Sequence, residues 1–397
     1  MNNTGKYFVL MCTDYKPTMG GIAEWAYQVA LTLRRAGWRV VVLAPKGGVE
    51  TYEFDSPQPF KTLRSIPRPG KWFYGKLMSI FQHISFIRVF WHLTAKREVR
   101  YILAADNGVY EGYMGFLRWV VLKFRNIPNG IMFHGQDVEI VPRIPLIRRC
   151  LMTFIIRRIG RVFCNSKFTA DTAKSAFRLS GSASPIVVGC GVCPETLPLS
   201  LEKDVARTKL NITAHYVILT AARLVPRKGV DMVIMALPEI LSHYPDVLYL
   251  VAGTGEDLPR LKQLAHQTGC AKHVRFDRPF DNRTEAHYYY CSADIFAMPA
   301  RHIPHESVEG FGIVYAEAGF YGLPVIGGRA GGVSDAIVDG ITGLLVDPEN
   351  PHDISEAIIT LLKDNALRER MGTEGNAHSI NELTWENVVR RIVKNIQ

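Results

Sequence analysis

The chain has 397 residues, of which 47% are hydrophobic and 21% are charged, and its formal net charge is +10. This composition is typical of a globular protein and excludes a disordered one, and the length suffices for two domains with separate cores. No apolar run reaches the roughly 18 to 20 residues that span a bilayer. The seven cysteines are scattered through strong apolar patterning, which favours a reducing, cytoplasmic location.

Charge is distributed unevenly along the chain. Residues 1–195 carry 27 Lys and Arg against 12 Asp and Glu, whereas residues 196–397 carry 20 against 25. A basic half predicts an anionic partner, such as phospholipid headgroups, a pyrophosphate-linked acceptor or nucleic acid. No nucleic-acid-binding module is recognisable, so we do not expect nucleic acid to be the partner.

The first apolar run, Tyr7–Cys12, predicts a buried parallel strand rather than a signal peptide, because no basic segment precedes it and no small-residue cleavage site follows. Gly20 and Gly21 then form a turn into a helix predicted from Ile22 to Arg35. A glycine pair between strand and helix lets a ligand approach the backbone closely, although a tight turn alone would also explain it.

Strand and helix patterns go on alternating through the first half. The predicted elements are Trp38–Ala44, Tyr101–Ala105, Val109–Phe124, Gly130–Phe133, Arg161–Cys164 and Ile186–Val188. This alternation predicts a doubly wound α/β domain, in which ligands bind beyond the carboxyl ends of the strands.

Two segments of this half combine apolar and basic residues. Residues 71–92 mix aromatics with Lys, His and Arg, and residues 143–161 hold six arginines around an apolar centre. Either segment is suited to a membrane interface, and both are also compatible with outer helices of the domain. We therefore expect a cytoplasmic protein with peripheral contact to the membrane face.

His134 follows the predicted strand Gly130–Phe133 in the sequence FHGQDVE, which places it at the carboxyl end of a strand. A structural histidine is the simpler interpretation from the residues alone. Asp137 could orient this loop or the imidazole ring, and we do not expect it to be catalytic.

Glycine and proline between residues 189 and 198 predict a hinge before the second domain. Cys190 and Cys193 in this stretch form a lone CxxC, which favours two structural thiols over a zinc site. After a predicted strand, Tyr216–Ala221, the cations Arg223 and Lys228 lie on a strand-to-helix loop, with Arg227 as a competing candidate.

The stretch Glu309-Gly310-Phe311-Gly312 precedes a helix predicted from Gly312 to Tyr321. Its glycines should leave the amides of Phe311, Gly312 and Ile313 unpaired, and free amides at a helix start attract phosphate. Glu317 shares the helix face of Ile313 and could bind sugar hydroxyls beside that phosphate. Glu309 is expected to be free on the loop, where it could meet another part of the ligand. Together these features suit a nucleotide sugar.

The pattern of Glu309, seven intervening residues and Glu317, followed by Gly322-Leu323-Pro324, resembles the signature of retaining glycosyltransferases of family 4. This resemblance implies the GT-B fold, with two doubly wound Rossmann-like domains facing a central cleft. Residues 1–195 would form the acceptor-side domain and residues 196–375 the nucleotide-sugar-binding domain. Residues 376–397 would form a helix that crosses back to the first domain.

The resemblance also implies roles for single residues. Gly20 and Gly21 match the loop beneath the distal phosphate and sugar of the donor. Arg223 and Lys228 match the cations that bind the diphosphate. Glu317 would hold the ribose, Glu309 would bind sugar hydroxyls, and His134 would position the sugar near the reaction centre. Together with the amides of Phe311, Gly312 and Ile313, these residues make up the expected site.

We expect no metal cofactor, because the sequence contains no Asp-x-Asp motif, and Arg223 and Lys228 can take over the electrostatic role of a metal. The segment Arg223–Gly229, together with residues 298–315, resembles mannosyltransferases that extend glycolipids from GDP-mannose, and UDP-hexose enzymes share most of both segments. The acceptor is expected to be a saccharide or lipid-linked sugar. Asp277 stands where glycine is usual in the base-binding loop, which leaves the base open, and Cys193 replaces a common Asp.

Two other functions stay open at this stage. A UDP-N-acetylglucosamine 2-epimerase has the same fold and needs additional acid and base residues, which we do not identify. A non-catalytic sugar-nucleotide-binding subunit would bind donor without transferring sugar, and the complete set of expected site residues argues against it. The sequence also lacks the phosphate-binding motif of ATPases and the dinucleotide fingerprint of oxidoreductases.

Overall fold

The structure is a computed structural model, and it describes residues 6–18, 20–66, 88, 90–92, 99–110, 112–194, 201–280 and 283–396. Most of the basic aromatic segment 71–92 and the expected domain boundary at residue 195 lie outside the described residues. The chain divides into two compact units. The first comprises Met1–Gly189 together with Trp385–Gln397, and the second comprises Cys190–Thr384.

The first unit contains a parallel sheet of seven described strands. They are β1 (Tyr7–Met11), β2 (Arg39–Pro45), β3 (Lys61–Ile66), β4 (Val99–Ala104), β5 (Asn129–Phe133), β6 (Arg161–Cys164) and β7 (Ile186–Val187). Their order is β3-β2-β1-β4-β5-β6-β7, so the direction of winding reverses between β1 and β4. This reversal is where open α/β sheets bind ligands.

Helices follow the strands of the first unit. The described ones are α1 (Gly21–Arg35), α2 (Val49–Asp55), α3 (Gly112–Phe124), α4 (Gln136–Glu139), α5 (Leu146–Ile156) and α6 (Lys167–Phe177). The central strands are apolar on both faces and largely buried, as in β1, where all residues but Tyr7 are buried, because helices cover both sides of a parallel sheet.

The second unit contains six described parallel strands in the order β10-β9-β8-β11-β12-β13. They are β8 (Tyr216–Ala221), β9 (Val247–Ala252), β10 (Val274–Asp277), β11 (Ile295–Met298), β12 (Val325–Gly328) and β13 (Gly343–Val346). The winding reverses between β8 and β11, so the loops after these two strands lie side by side at the carboxyl edge of the sheet.

The described helices of the second unit pack on its sheet. They are α7 (Lys203–Lys209), α8 (Val230–His243), α9 (Leu258–Gln267), α10 (Arg283–Ser292), α11 (Ile313–Phe320), α12 (Pro351–Lys363) and α13 (Asn365–Asn381). Helices α8 and α12 pack against each other over the core. Among the described helices of the chain, none is long and apolar enough to cross a bilayer.

The last helix, α14 (Trp385–Lys394), belongs to the first unit and packs against α1. Its apolar side chains, including Trp385 and Ile392, are buried. Arg391 donates a hydrogen bond to the carbonyl of Val188 at 3.1 Å, and Arg161 donates one to the carbonyl of Asn395 at 2.8 Å. These bonds attach the C-terminal end of the helix to the first unit.

The predicted doubly wound α/β architecture is confirmed in both units, and most predicted strands end within one or two residues of the observed ones. In the first unit, α2, β3 and α6 were not predicted from the sequence. The sequence analysis also predicted one element over Val109–Phe124, where the structure has a 3-10 turn, Asn107–Tyr110, and a separate helix α3. The missed strand lies at the edge of the sheet and has a mixed polar sequence, KTLRSI, which gives a weak periodic signal.

Candidate functional site

The loop after β8 carries the expected diphosphate cations. It runs through a 3-10 turn, Pro226–Lys228, to Gly229, whose φ of 71° suits glycine. A Cβ added at Gly229 would lie 2.1 Å from the carbonyl oxygen of Pro299, which belongs to the loop after β11. The loops after β8 and β11 therefore approach each other too closely for a side chain at Gly229. The amide of Arg301 donates to the carbonyl of Arg227 at 2.8 Å and joins the loops further.

Glu309 lies on the loop after β11 and is not free, so this expectation was wrong. Its Oε2 atom accepts hydrogen bonds from Arg227 Nη1 at 2.6 Å and from Lys228 Nζ at 2.5 Å. All three side chains are only 12 to 13% exposed. The physical reason is that the close approach of the two loops places both cations against the carboxylate. Oε1 of Glu309 makes no hydrogen bond with a described residue.

The ion pairs shift the pKa values of this cluster. Burial alone would raise the pKa of Glu309, but the charges of Lys228 and Arg227 more than offset it and hold the value at about 2. Burial lowers the pKa of Lys228, and Glu309 opposes that shift. Glu309 is therefore ionised at neutral pH, between two cations.

Arg223 stands apart from this cluster. Its side chain is exposed, and its guanidinium makes no ion pair or hydrogen bond with the part of the chain that the structure describes. The structure therefore brings Lys228 and Glu309 into contact but leaves the other expected cation open to a ligand. Arg227, the competing candidate in the sequence, is the second cation that pairs with Glu309.

Helix α11 begins at Ile313, one residue after the predicted start, with Gly312 as its cap at a φ of 85°. A Cβ at Gly312 would lie 2.4 Å from the ring of Tyr315, so the turn requires glycine. The amides of Phe311, Gly312 and Ile313 form no hydrogen bond with any described residue. They form a set of unpaired donors at the positive end of the helix, which suits an anion.

Glu317 lies on α11, where Tyr290 of α10 donates a hydrogen bond to its Oε2 atom at 2.9 Å. Tyr290 is buried and stacks on Tyr321, with ring centroids 5.0 Å apart. Burial, and then the nearby charge of Glu317, raise the pKa of Tyr290 well above its usual value. Tyr290 thus fixes the carboxylate of Glu317, and nothing in its YYYC sequence context singled it out.

In the first unit, His134 follows β5 at the carboxyl edge of the sheet. Its Nε2 atom lies 2.7 Å from the carbonyl oxygen of Ala105, and its ring packs edge-on against Trp25 at 5.3 Å. Because a carbonyl can only accept, Nε2 carries the proton and Nδ1 is left as an acceptor. Burial lowers the pKa of His134 to about 4, so the ring is neutral at physiological pH.

Two buried carboxyl groups lie at the carboxyl edge of the first sheet, and one of them, Asp137, supports the His134 loop directly. Asp137 Oδ1 accepts a hydrogen bond from the amide of His134 at 2.8 Å, whereas Oδ2 has no partner among the described residues. Burial raises the pKa of Asp137 to about 7. Asp106, which no motif in the sequence singled out, accepts hydrogen bonds from the amide and hydroxyl of Thr13 at 2.7 and 2.6 Å.

Gly20 and Gly21 are exposed at the start of α1, and a Cβ at Gly21 would meet no atom within 4 Å. The loop before them is held by an ion pair between Lys16 and Glu24 at 2.7 Å. Arg64 of the missed strand β3 also donates a hydrogen bond to the carbonyl of Lys16 at 2.5 Å. The loop that contains Gly20 and Gly21 is therefore exposed, and contacts of Lys16 with Glu24 and Arg64 hold the residues before it in place.

Cys190 and Cys193 are free thiols and both are buried. Burial raises the pKa of Cys190, and the charge of Glu309 adds to the shift, so the thiol is protonated. In the described part of the chain, no group of three or more His, Cys, Asp or Glu side chains is arranged to hold a metal ion.

Comparison with known proteins gives two family matches. The model described as "Glycosyltransferase Family 4" matches residues 19–195, and the model described as "Glycosyl transferases group 1" matches residues 202–378. Together they account for most of both units.

Curated relatives were also found. One is the GDP-mannose-dependent alpha-(1-6)-phosphatidylinositol monomannoside mannosyltransferase of Mycolicibacterium smegmatis, 34% identical over 260 residues, which are 64% of this chain and 65% of that one. Another is the corresponding monoacylated-substrate enzyme of Corynebacterium glutamicum, 36% identical over 234 residues, 58% of this chain and 60% of that one. The chain thus matches less than two thirds of the length of these relatives.

Solved structures share the fold. Anabaena HepE, in complex with UDP and glucose, superposes with a TM-score of 0.77 at 17% identity and covers 98% of this chain and 99% of its own. A Rickettsia africae glycosyltransferase gives a TM-score of 0.78 at 18% identity, with 98% of each chain covered. The two parallel-sheet units are accordingly the Rossmann-like domains of the GT-B fold, and the chain belongs to glycosyltransferase family 4.

Proposed function

We propose that this protein is a retaining, metal-independent glycosyltransferase that moves a hexose from a nucleoside-diphosphate sugar to an acceptor hydroxyl. The observation that carries the proposal is the carboxyl edge of the second unit. There, an exposed cation, an ion-paired Lys228, three unpaired amides and the fixed carboxylate of Glu317 all belong to loops after β8 and β11 or to α11.

The diphosphate of the donor would be bound by two sets of groups. Phe311, Gly312 and Ile313 offer backbone amides at a helix start, and Arg223 and Lys228 offer positive charge. When the bond between the anomeric carbon and the phosphate oxygen breaks, negative charge develops on the leaving diphosphate. Fixed donors and cations stabilise that charge as it forms, so no metal is required.

The hydroxyl-rich parts of the donor would be bound by carboxylates. Glu317, held by Tyr290, would accept hydrogen bonds from the ribose. Glu309 uses Oε2 for Arg227 and Lys228, which leaves Oε1 to accept a hydroxyl of the transferred sugar. The ion pairs keep this carboxylate ionised and oriented, so that it acts as a fixed acceptor.

His134 would position the sugar through its unprotonated Nδ1 atom, which can accept a hydroxyl hydrogen bond. Gly20 and Gly21 would leave room for the sugar and distal phosphate at the open loop of the first unit. In the front-face transfer that we propose, the acceptor oxygen bonds to the anomeric carbon and its proton passes to the leaving phosphate. Neither His134 nor Glu309 acts as a nucleophile.

GDP-mannose is the donor that we favour, because the Mycolicibacterium and Corynebacterium relatives are GDP-mannose-dependent by name; a UDP-hexose is the alternative. Their names also specify phosphatidylinositol mannosides as acceptors. We therefore propose a glycolipid or lipid-linked saccharide acceptor in polysaccharide or glycolipid assembly. The basic first half would meet an anionic membrane surface on the cytoplasmic side.

The test is thermal stabilisation of the purified protein by GDP, UDP, ADP and dTDP, with and without EDTA. We expect one nucleotide to stabilise it by about 2.7 kcal/mol at a concentration 100 times its Kd, with no effect of EDTA. Glu317→Ala should lose this stabilisation, and Glu374→Ala, an exposed glutamate on α13, should keep it. A shift that disappears with EDTA would rule out the role given to Arg223 and Lys228. The absence of any shift would rule out the donor site.

A further inference from the structure

Helices α3 and α5 pack against each other in the first unit, and each exposes a second apolar stripe besides the one that faces the core. On α3, Leu117, Val120 and Phe124 are 46, 39 and 78% exposed. Their spacing of three and four residues places them on one face of the helix. Leu122, by contrast, is fully buried in the core.

Helix α5 repeats this arrangement. Leu146 and Ile147 are 64 and 70% exposed, and Phe154, seven residues after Ile147, is 39% exposed. Met152 and Ile155 of the same helix are buried in the core. We call the exposed residues of the two helices, with the basic residues beside them, the α3–α5 face.

The charges on this face are of one sign. Residues 112–125 and 140–160 contain no Asp or Glu. They include the exposed cations Lys123, Arg143, Arg148, Arg157 and Arg158. The guanidinium of Arg158 lies over the ring of Phe154 at 3.9 Å, so charge and apolar surface are in direct contact. Arg125 lies in the same way over the half-exposed Trp91 at 4.0 Å.

Among the described residues of the α3–α5 face, exposed apolar side chains lie beside cations, a combination that matches the interface of an anionic bilayer. There, apolar groups enter the boundary of the acyl chains while arginines remain among the phosphates. Each basic residue near such a surface contributes to binding, and aromatic side chains are favoured at the same depth. A nucleic-acid partner would use the cations but would give no use to the aliphatic residues Leu146 and Ile147.

We propose that the α3–α5 face docks on an anionic phospholipid bilayer, with Leu146, Ile147 and Phe124 at the acyl boundary. This assignment builds on the proposed membrane-bound acceptor, because it says which part of the basic half meets the lipid. Docking itself requires neither donor binding nor sugar transfer. The two proposals can therefore be tested separately.

The experiment is co-sedimentation of the full chain with vesicles of phosphatidylcholine mixed with phosphatidylglycerol, compared with pure phosphatidylcholine. We expect binding to the mixed vesicles alone, and a decrease as salt is raised. The variant Leu146→Ser/Ile147→Ser should weaken binding by about tenfold or more, because two exposed aliphatic side chains lose their burial in lipid. Arg143→Gln/Arg148→Gln should weaken it by about fivefold for each charge removed.

Matched controls come from the second unit. Ile341→Ser removes an isoleucine that is 52% exposed, and Arg370→Gln removes an exposed arginine on α13. Both should bind vesicles as the unaltered chain does. All altered side chains face solvent, so the thermal stability of every variant should stay close to that of the unaltered protein.

The proposal is overturned if the unaltered chain does not sediment with mixed vesicles, if it binds pure phosphatidylcholine equally well, or if the α3–α5 variants bind as the controls do. Stabilisation by GDP or UDP, measured on the same samples, reports on the donor site independently. A chain that is stabilised by nucleotide but ignores vesicles would keep the glycosyltransferase proposal and remove the docking one. The reverse result would remove only the donor site.

Discussion

At the carboxyl edge of the second sheet, Glu309 lies between two cations, whereas at the same edge of the first sheet the half-buried His134 and the buried Asp137 have no cation beside them among the described residues. The pKa of Glu309 is lowered to about 2, but that of Asp137 is raised to about 7. The edge of the second sheet therefore keeps Glu309 ionised, whereas the edge of the first sheet favours the uncharged forms of Asp137 and His134.

This difference fits the parts of the donor that we assign to each edge. A diphosphate needs fixed charge around it, and the second unit stabilises charge by pairing. A sugar is neutral, and the first unit offers a neutral imidazole whose Nε2 atom is held by a hydrogen bond to the carbonyl of Ala105. The same strand-loop-helix architecture thus supports two kinds of electrostatic environment, set by which side chains lie beside each loop.

The largest expected effect comes from removing the charge of Glu309. Glu309→Gln leaves Arg227 and Lys228 largely buried without a counter-ion, which should cost about 3 kcal/mol of stability. GDP should bind more tightly, because the repelling carboxylate is gone, while sugar transfer slows. Thermal unfolding and calorimetric GDP titration measure the two effects.

Glu306→Gln is the matched control, since Glu306 is exposed on the same loop and should change stability by less than about 0.5 kcal/mol. Equal stability of the two variants would show that the charge pairing does not stabilise the second unit, and the contrast between the two edges would be lost.

A smaller effect is expected from the pH dependence of the first unit. Because the folded pKa of Asp137 is about 7, above its ordinary value near 4, the folded state holds more protons between these values and stability falls as pH rises through them. His134, with a folded pKa of about 4, acts oppositely: its contribution is lost as pH falls from about 6.5.

Asp137→Asn retains an oxygen that can accept the amide of His134 but cannot ionise. We therefore expect this variant to gain stability relative to the unaltered protein as pH rises from about 4 to 8, measured by urea unfolding. Asp204→Asn, which alters an exposed aspartate on α7, should show no such trend. Parallel pH profiles for Asp137→Asn and the unaltered chain would contradict the buried, uncharged character of this edge.

The smallest effect concerns Tyr290. Tyr290→Phe removes the hydrogen bond to Glu317 and should cost about 1 kcal/mol in stability. Without this bond the carboxylate of Glu317 is less well oriented for the ribose, so KM for the donor should rise several-fold while kcat changes little. Tyr288→Phe, on the same helix, is the control for the loss of a hydroxyl. A fall in kcat at unchanged KM would place Glu317 nearer to the reaction than we propose.

Elements whose signals are local were predictable from the sequence. The start of α11 was predicted to within one residue because Gly312 and the apolar run after it define a helix start. His134 was placed correctly at the end of a strand, since β5 is a continuous apolar run. The GT-B fold followed from the resemblance, which the family matches confirm.

Partners that come from distant parts of the chain were not predictable. Arg227 contacts Glu309 across 82 residues, and Tyr290 contacts Glu317 across 27. Neither pair has a sequence signal, because its geometry depends on the order of β8 and β11 and on how α10 packs beside α11. The expectation of a free Glu309 failed for this reason. The roles given to the site residues stay predictions.

Helix α14 belongs to the first unit although it follows the whole second unit in the chain. During synthesis on the ribosome, residues up to Gly189 would emerge first, with the side of α1 that receives α14 still uncovered. The entire second unit would be translated before that surface could be closed. We would therefore look for chaperone dependence, and for sensitivity to protease, in nascent chains that end before Trp385.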